Sequence, residues 1–278
     1  MELLDLETID VDLFRGIQPD TNLQRVFGGQ VAAQALVAGM RTLDGAKTVH
    51  SLHSYFLRPG DPSVPIVYDV ERIRDGRSFA TRRVMARQHG RPIYYMTLSA
   101  QVPEDGFDHQ DAMPEVASPS EAVNVAEIFG ARPDGKGSEW LKEWAALDMR
   151  WVGDSRPGGT IPADGRPSQS RLWIRVSGRI DVDPATHQAA FTYASDMTLL
   201  GSTLVPHGTH VSDPRMQSAS LDHTIWFHRP FRADEWRLYD QASPSASGAR
   251  GLAIGRVFTE DGKLVATVAQ EGLIRVRG

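Results

Sequence analysis

The chain has 278 residues, of which 41% are hydrophobic and 23% charged, a composition typical of a soluble globular protein with a sizeable core. The formal net charge of −5 argues against nucleic-acid binding, which needs a broad cationic surface, although a few local arginines would suffice to hold a small anion. The lack of cysteine excludes disulfides, thiolate metal sites and a cysteine nucleophile.

The two ends of the sequence bear on where the protein works. Residues 1–7 are acidic and amphipathic, unlike a secretory signal with its basic start and apolar run. No apolar stretch approaches the roughly 18 residues that span a bilayer. The last residues differ from a peroxisomal Ser-Lys-Leu tail. We therefore expect a cytoplasmic protein without stable membrane association.

The first half of the chain predicts one helix followed by long strands. Residues 26–43 place Val31, Ala35, Leu36 and Met40 at helical spacing, and their many small neighbours would let a sheet approach closely. The strands that follow are bounded in two places by hairpin dipeptides. The predicted strands are His50–Leu57, Pro65–Ile73, Ser78–Gln88 and Arg91–Gln101, and the dipeptides are Asp75-Gly76 and His89-Gly90. This order suggests a sheet wrapped around the helix.

Between Pro103 and about Pro167 the chain changes character. Prolines, glycines and charges accumulate, and one short helical piece is predicted at Ser138–Met149. Strand character resumes at Ser170–Val176. This region is interpreted as a linker with local structure of its own.

The second half of the chain repeats features of the first at a nearly constant separation. Two pairs share an offset of 171 residues (229 − 58 and 239 − 68), and a third pair has an offset of 172 (262 − 90). The pairs are Phe56-Leu57-Arg58-Pro59 with Phe227-His228-Arg229-Pro230, Tyr68-Asp69 with Tyr239-Asp240, and His89-Gly90-Arg91 with Asp261-Gly262-Lys263. We therefore predict two copies of one unit, at residues 1–112 and 167–278, joined by a linker at 113–166.

In that frame the helix of the second copy should begin within Tyr193–Leu200. Ser195 or Asp196 would be its N-cap, and Leu199 and Leu200 would start its apolar face. A carboxylate at a helix N-terminus is stabilised by the helix dipole, so Asp196 is either a cap or a functional acid.

Several common chemistries find no support in the sequence. A Gly-x-Ser-x-Gly elbow is absent, since Gly153–Pro157 fails at its last position. Phe27–Gln30 lacks the lysine of a phosphate-binding loop. The nine histidines form no His-Glu-x-x-His, and His50 and His53 would point to opposite faces of a strand. We predict neither a metal site nor a cofactor.

Two further polar side chains lie at strand ends. Ser220 precedes the alternating strand Leu221–Phe227, and Gln270 follows the apolar run Leu264–Ala269. Taken singly, such residues are usually a solvated hydroxyl and an edge amide whose hydrogen bonds are satisfied.

Longer blocks resemble the bacterial acyl-CoA thioesterase II family. The blocks are Arg25–Gln30, His53–Asp61, Tyr193–Asp196, Leu221–Phe231 and Gln270–Gly272. They run in family order, so the resemblance covers nearly the whole chain outside the linker. It implies an α+β double hotdog: two tandem hotdog units, each an antiparallel sheet wrapped around a central helix. It also implies association into a homo-oligomer.

The resemblance further implies that an aspartate, a threonine and a glutamine grip the hydrolytic water. Matched residue by residue, these positions fall on Asp196, Ser220 and Gln270. Serine departs from the family threonine; it keeps the hydroxyl and loses the methyl group that restricts its rotamer, which leaves the rate in doubt. His50 also matches a family position, but we do not expect it to participate, because the other three supply the required groups.

Those three residue types suit hydrolysis of an acyl-CoA thioester. Asp196 can accept a proton from the water as general base while Ser220 and Gln270 fix its position. A backbone N–H at a helix start, near Gly29 or Met197, could stabilise the oxyanion. The CoA thiolate is a good leaving group, so neither a metal nor a covalent intermediate is required. Since the first copy has Arg25 where the aspartate would fall, we expect one active site per chain.

Two alternatives to a fatty acyl-CoA hydrolase remain at this stage. The hotdog fold also carries hydratases and dehydratases of acyl thioesters, which pair an acid with a catalytic histidine. No histidine accompanies Asp196 in the matched block, which disfavours them. The third hypothesis is a non-catalytic acyl-CoA binding protein, against which the presence of all three water-holding groups argues.

Overall fold

The computed structural model describes residues 2–21, 23–130, 141–142, 144–181 and 183–277. Contacts divide the chain into two compact units. The first comprises Met1–His109, Val182–Met197 and Ser220–His228, and the second comprises Gln110–Asp181, Thr198–Ala219 and Arg229–Gly278. The boundaries predicted from the repeat, 1–112, 113–166 and 167–278, stay a proposal about the order of the copies along the sequence.

The described helices and strands are labelled in chain order. They are β1 (Glu7–Asp10), β2 (Leu13–Gly16), α1 (Gly28–Met40), β3 (Thr48–Phe56), β4 (Ile66–Asp75), β5 (Phe79–Gln88), β6 (Arg91–Gln101), β7 (Val123–Asn124), α2 (Val125–Gly130), β8 (Leu147–Asp154), β9 (Gln169–Val176), α3 (Pro184–Ser195), β10 (Met216–Ser220), β11 (Asp222–Phe227), β12 (Arg237–Ser247), β13 (Arg250–Thr259) and β14 (Leu264–Val276). Short 3-10 helices occupy Glu2–Leu4 and Leu199–His207. None of the helices in the described residues is long and apolar enough to cross a bilayer.

The first unit is an antiparallel sheet with two helices. Its strands follow the order β1-β2-β4-β5-β6-β3-β11, and α1 packs on β4, β5 and β6 and against α3. The fully buried apolar side chains of α1 are mostly small: Ala32, Ala33, Ala35, Leu36 and Ala38. Their size allows the close approach that the sequence predicted. The helix prediction for residues 26–43 is confirmed by α1.

The long strands of the first half are confirmed, and Arg91–Gln101 matches β6 at both ends. The hairpin between β5 and β6 uses His89 and Gly90, whose φ angles are 49° and 71°. Positive φ at both central positions is what a two-residue turn needs to match the twist of the flanking strands. A histidine there accepts a conformation that glycine adopts at lower cost.

The prediction that the second helix begins within Tyr193–Leu200 is wrong. Instead, α3 spans Pro184–Ser195 and ends where that helix was expected to start, so Asp196 is its C-cap. The true N-terminal signal is Asp183, which accepts a hydrogen bond from the Thr186 N–H at 3.0 Å and is followed by a proline in the first turn. The residues after Asp196 form the 3-10 helix Leu199–His207.

Replacing the cap of α3 gives a direct stability prediction. Asp183→Ala should lower the free energy of unfolding by about 1 kcal/mol, because the Thr186 N–H loses its side-chain acceptor. Urea denaturation of the two proteins measures the difference. An unchanged midpoint at an unchanged slope would show that water replaces the carboxylate without cost.

The predicted linker contains more regular structure than expected. Residues 138–140 and 143 of the predicted helical piece lie outside the described residues, and Leu141 and Lys142 are helical. The predicted C-terminal end of this helical piece is wrong, because Leu147–Met149 belongs to β8, which pairs antiparallel with β9. Met149 is buried opposite Ile174 in that pairing, so packing within the sheet outweighs helix propensity here.

The second unit is built on the sheet β14-β13-β12-β9-β8-β7, with β10 pairing β14. The 3-10 helix Leu199–His207 packs on this sheet. A Cβ added at Gly251 would lie 2.6 Å from Thr203 Cβ, so the glycine allows the helix to approach β13 closely. Trp173, Leu238 and Phe258 form a core cluster of this unit.

The repeated motifs make equivalent contacts in the two units. Arg58 Nη1 donates to the Pro92 carbonyl at 2.7 Å, and Arg229 Nη1 donates to the Leu264 carbonyl at 2.7 Å. These four positions are related by the same offsets of 171 and 172 residues (229 − 58 and 264 − 92). The repeat in the sequence therefore corresponds to a repeated local structure.

Candidate active site

Asp196 lies buried at the C-terminal end of α3 and faces the first turn of α1. Its side chain is 3% exposed, and a Cβ added at Gly28 would lie 2.5 Å from its Oδ2. The dipole of α3 disfavours a carboxylate at this end, whereas the first turn of α1 presents backbone N–H groups and favours one. The expected stabilisation by a helix start is present, but it comes from α1.

The Ser220 hydroxyl is the second predicted group beside this carboxylate. Ser220 is half-buried, and its Oγ donates to Asp196 Oδ1 at 3.3 Å. A bond of this length is weak, and serine lacks the methyl group that would hold the hydroxyl in one rotamer. The structure therefore brings together Asp196 and Ser220, which are two of the three predicted residues.

Gln270, the third predicted residue, lies on β14 in the second unit. Its side chain is fully buried, and its Cα pairs with Ala253 on β13. The edge position expected from the sequence is wrong, since β14 has neighbours on β13 and β10. Its role in the site stays a prediction.

A histidine that the sequence reasoning passed over adjoins Asp196. His223 on β11 is fully buried, with Nδ1 4.0 Å from Asp196 Oδ1 and Nε2 2.8 Å from Ser195 Oγ. Burial lowers the pKa of this imidazole to about 3, so it is neutral at physiological pH. The signal was available, because alternation along β11 places His223 on the same inward face as Ile225 and Phe227.

Two aromatic side chains, Phe56 and Tyr94, lie near the carboxylate. A Cβ added at Gly28 would lie 2.9 Å from Phe56 Cε1. The centroids of the Phe56 and Tyr94 rings are 5.0 Å apart. Burial raises the pKa of the Tyr94 phenol, and the Asp196 charge adds to this effect. Electrostatic interactions of a buried carboxylate in such surroundings are stronger than they would be in water.

The structure also places the two predicted oxyanion donors, Met197 and Gly29, and the histidine His50. The Met197 N–H donates to the Ala194 carbonyl at 3.2 Å, so the expectation of an oxyanion donor there is wrong. Gly29 lies in the first turn of α1, as that expectation required. His50 Nε2 lies 2.9 Å from Ser99 Oγ, and burial lowers its pKa. Within the described ranges no three metal-binding side chains cluster, and the prediction of no metal site stays a prediction.

Buried His223 should make the stability of the protein depend on pH. A histidine in the unfolded chain titrates near pH 6.5, whereas His223 titrates at about 3 in the folded state. Between these values only the unfolded state binds the proton, so stability falls as pH decreases below 6.5. The loss at pH 5 is about 2 kcal/mol. Urea denaturation at pH 7 and pH 5 should show a smaller loss for His223→Gln, and equal losses would contradict this assignment.

Comparisons with known proteins find relatives over nearly the whole chain. Residues 17–101 match the family model "Acyl-CoA thioesterase N-terminal domain", and residues 150–273 match "Acyl-CoA thioesterase". The chain is 39% identical to acyl-CoA thioesterase 2 of Haemophilus influenzae over 99% of this chain and 96% of the relative. Human acyl-coenzyme A thioesterase 8 is also 39% identical, over 99% of this chain and 88% of the relative.

Solved structures show the same fold. An acyl-CoA thioesterase II from Mycobacterium marinum is 45% identical and superposes with a TM-score of 0.86, covering 100% of this chain and 98% of that one. A protein with a hot dog fold from Alicyclobacillus acidocaldarius is 19% identical and superposes with a TM-score of 0.78, covering 100% and 98% of the two chains. The expected α+β double hotdog is therefore confirmed.

Proposed function

The chain belongs to the acyl-CoA thioesterase II family, and from that premise we propose that it hydrolyses fatty acyl-CoA to free fatty acid and CoA. The water would be held and activated by Asp196, Ser220 and Gln270. The observation that carries this proposal is the buried Asp196 carboxylate, which has the Ser220 hydroxyl at 3.3 Å and the first turn of α1 against its other oxygen.

The chemistry needs only these groups and the substrate. Asp196 takes one proton from the water as the water oxygen bonds to the thioester carbon. The developing oxyanion is stabilised by a backbone N–H at the start of α1, near Gly29. The carbon–sulfur bond then breaks, sulfur leaves with the electron pair, and Asp196 returns the proton to it. Enzyme and carboxylate are restored after one turnover.

The structure weakens one argument against the hydratase or dehydratase alternative, because a histidine does accompany Asp196. His223 is nevertheless fully buried, and its Nε2 is engaged by Ser195. A catalytic histidine of such an enzyme must reach the acyl chain of the substrate. The position of His223 therefore favours hydrolysis over hydration.

Incubation with palmitoyl-CoA and with its trans-2-enoyl analogue separates the three functions. A hydrolase releases CoA, which a thiol reagent detects, together with the free acid. A hydratase converts the enoyl chain and releases no thiol, whereas a binding protein does neither. The hydrolase proposal fails if the enoyl chain is hydrated while no thiol appears.

The proposal extends to the setting of the enzyme. It includes one active site per chain, a cytoplasmic location without stable membrane association, and assembly into a homo-oligomer. It includes neither nucleic acid nor a cofactor, since CoA is part of the substrate. Titration of the sites with a non-hydrolysable acyl-CoA thioether tests the stoichiometry and should saturate at one ligand per chain.

A further inference from the structure

The buried imidazole of His223 presents one nitrogen to the catalytic carboxylate. Its Nδ1 lies 4.0 Å from Asp196 Oδ1 and has no hydrogen-bond partner among the described residues. A buried polar atom without a partner costs free energy comparable to a lost hydrogen bond. The strand holds the residue firmly, because the Ser54 Oγ donates to the His223 carbonyl at 2.6 Å.

The contacts of Ser195 determine which nitrogen of His223 carries the proton. The Ser195 hydroxyl donates to the Thr192 carbonyl at 2.9 Å, which uses its single hydrogen. Ser195 Oγ can therefore only accept from His223 Nε2, 2.8 Å away. The Nε2–H tautomer follows, and Nδ1 carries a lone pair that faces Asp196. Burial keeps the imidazole neutral, with a pKa of about 3, so this lone pair persists at physiological pH.

We propose that His223 Nδ1 accepts one hydrogen of the hydrolytic water while Asp196 Oδ1 accepts the other. This inference rests on the proposed function. His223 Nδ1 and Asp196 Oδ1 are 4.0 Å apart. A water oxygen about 2.8 Å from each would have an Nδ1–O–Oδ1 angle of about 90°, close to the angle between the two hydrogens of water. Such a water has both hydrogens bound, and a lone pair remains to attack the thioester carbon.

His223 then decides which proton moves. The hydrogen on Oδ1 passes to Asp196 as the carbon–oxygen bond forms, because protonation of the carboxylate removes a buried charge, whereas protonation of the buried imidazole would create one. The hydrogen held by Nδ1 stays on the oxygen and becomes the hydroxyl of the tetrahedral intermediate. After sulfur leaves with its electron pair and takes the proton from Asp196, that hydroxyl belongs to the product acid, which ionises in solvent. The imidazole is unchanged throughout.

A purely structural role for His223 predicts a different pattern of mutational effects. In that role the residue fills the core and donates to Ser195, so only Nε2 matters. Two amide substitutions distinguish the roles, because the Asn amide reaches the position of Nδ1, whereas the Gln amide reaches the position of Nε2. His223→Asn and His223→Gln are thus matched controls for each other.

We expect His223→Gln to lower kcat roughly 100-fold with little change in KM, and His223→Asn to retain at least tenfold more of the activity than His223→Gln. The thermal midpoints of both variants show whether the fold is intact. Equal kcat values, or a higher kcat for His223→Gln, would overturn the inference.

A second measurement needs no variant to remain folded. Nitrogen-15 shifts of histidine-labelled wild-type protein report the tautomer of each imidazole. The inference requires a protonated Nε2 and an unprotonated Nδ1 at His223, and a protonated Nδ1 would overturn it. Asp196→Asn is assayed in parallel. Absence of thiol release by the wild type would remove the proposed function itself, and normal hydrolysis by Asp196→Asn would remove Asp196 as the base. Inactivity of Asp196→Asn together with a fully active His223→Gln would remove only the role of His223.

Discussion

Asp196→Asn is expected to lower kcat for acyl-CoA hydrolysis by about 10²- to 10⁴-fold, the usual contribution of a general base. The Asn amide has the same shape and can still accept from the Ser220 hydroxyl, which lies 3.3 Å from Oδ1 in the wild type. It cannot take a proton from water at neutral pH. The loss should therefore appear in kcat, with KM nearly unchanged.

The folded state should tolerate this substitution. Removing the charge from the first turn of α1 costs about 1 kcal/mol of helix-dipole stabilisation. Asp183→Ala is the matched control, because it removes a carboxylate from the opposite end of α3 and has a similar cost in stability. That control should keep the wild-type kcat. A fully active Asp196→Asn enzyme would show that another group is the base.

Gly28→Ala is expected to give the second-largest effect. The new Cβ would lie 2.5 Å from Asp196 Oδ2 and 2.9 Å from Phe56 Cε1, which is closer than real Cβ contacts. The carboxylate, the ring or the start of α1 must then shift. Because displacements on the order of 1 Å cost up to about 10²-fold in rate, we expect kcat to fall roughly 10- to 100-fold.

Helix propensity acts in the opposite direction at this position. Alanine is favoured over glycine in a helix by about 1 kcal/mol, which offsets part of the strain in the folded state. Gly201→Ala is the control, since its Cβ would meet no atom within 4 Å. Kinetics of both variants with palmitoyl-CoA test the prediction. A wild-type kcat for Gly28→Ala would show that catalysis does not depend on the close contact between the Asp196 carboxylate and the first turn of α1.

Strands and turns of the first half could be predicted because their signals are local. Alternation defines β6 to the residue, and a His-Gly pair fixes the hairpin before it. The sequence repeat also predicted equivalent local structure, since Arg58 and Arg229 make equivalent hydrogen bonds. Each of these features depends on neighbours within a few residues or on a direct comparison of two short segments.

The position of α3 could not be predicted from an apolar stripe, because the helix buries polar side chains. The amide of Gln188 donates to the Val49 carbonyl at 2.8 Å, and the Thr192 hydroxyl donates to the Gln188 carbonyl at 2.8 Å. These bonds satisfy Gln188 Nε2 and the Thr192 hydroxyl, so the buried face of α3 includes polar side chains and shows no hydrophobic periodicity. The apolar residues Leu199 and Leu200 then drew the prediction to the wrong segment.

The candidate site could be predicted only in part. The family resemblance supplied Asp196 and Ser220, which the fold brings together. The contact between Asp196 and Gly28 joins the start of one helix to the end of another, far apart in the chain, and no local pattern announces it. His223 had the inward alternation of β11 as its signal, but a buried histidine alone does not indicate which atom it faces.

A single turnover of palmitoyl-CoA in water enriched in oxygen-18, with enzyme in excess, tests most directly whether Asp196 activates the attacking water. Mass spectrometry of the palmitate and of the peptide that contains Asp196 follows the label. Direct attack by a water that Asp196 activates predicts CoA release, one labelled oxygen in palmitate and none in the peptide. Unlabelled palmitate with oxygen-18 in the Asp196 carboxylate would contradict the account, since it would make Asp196 the nucleophile.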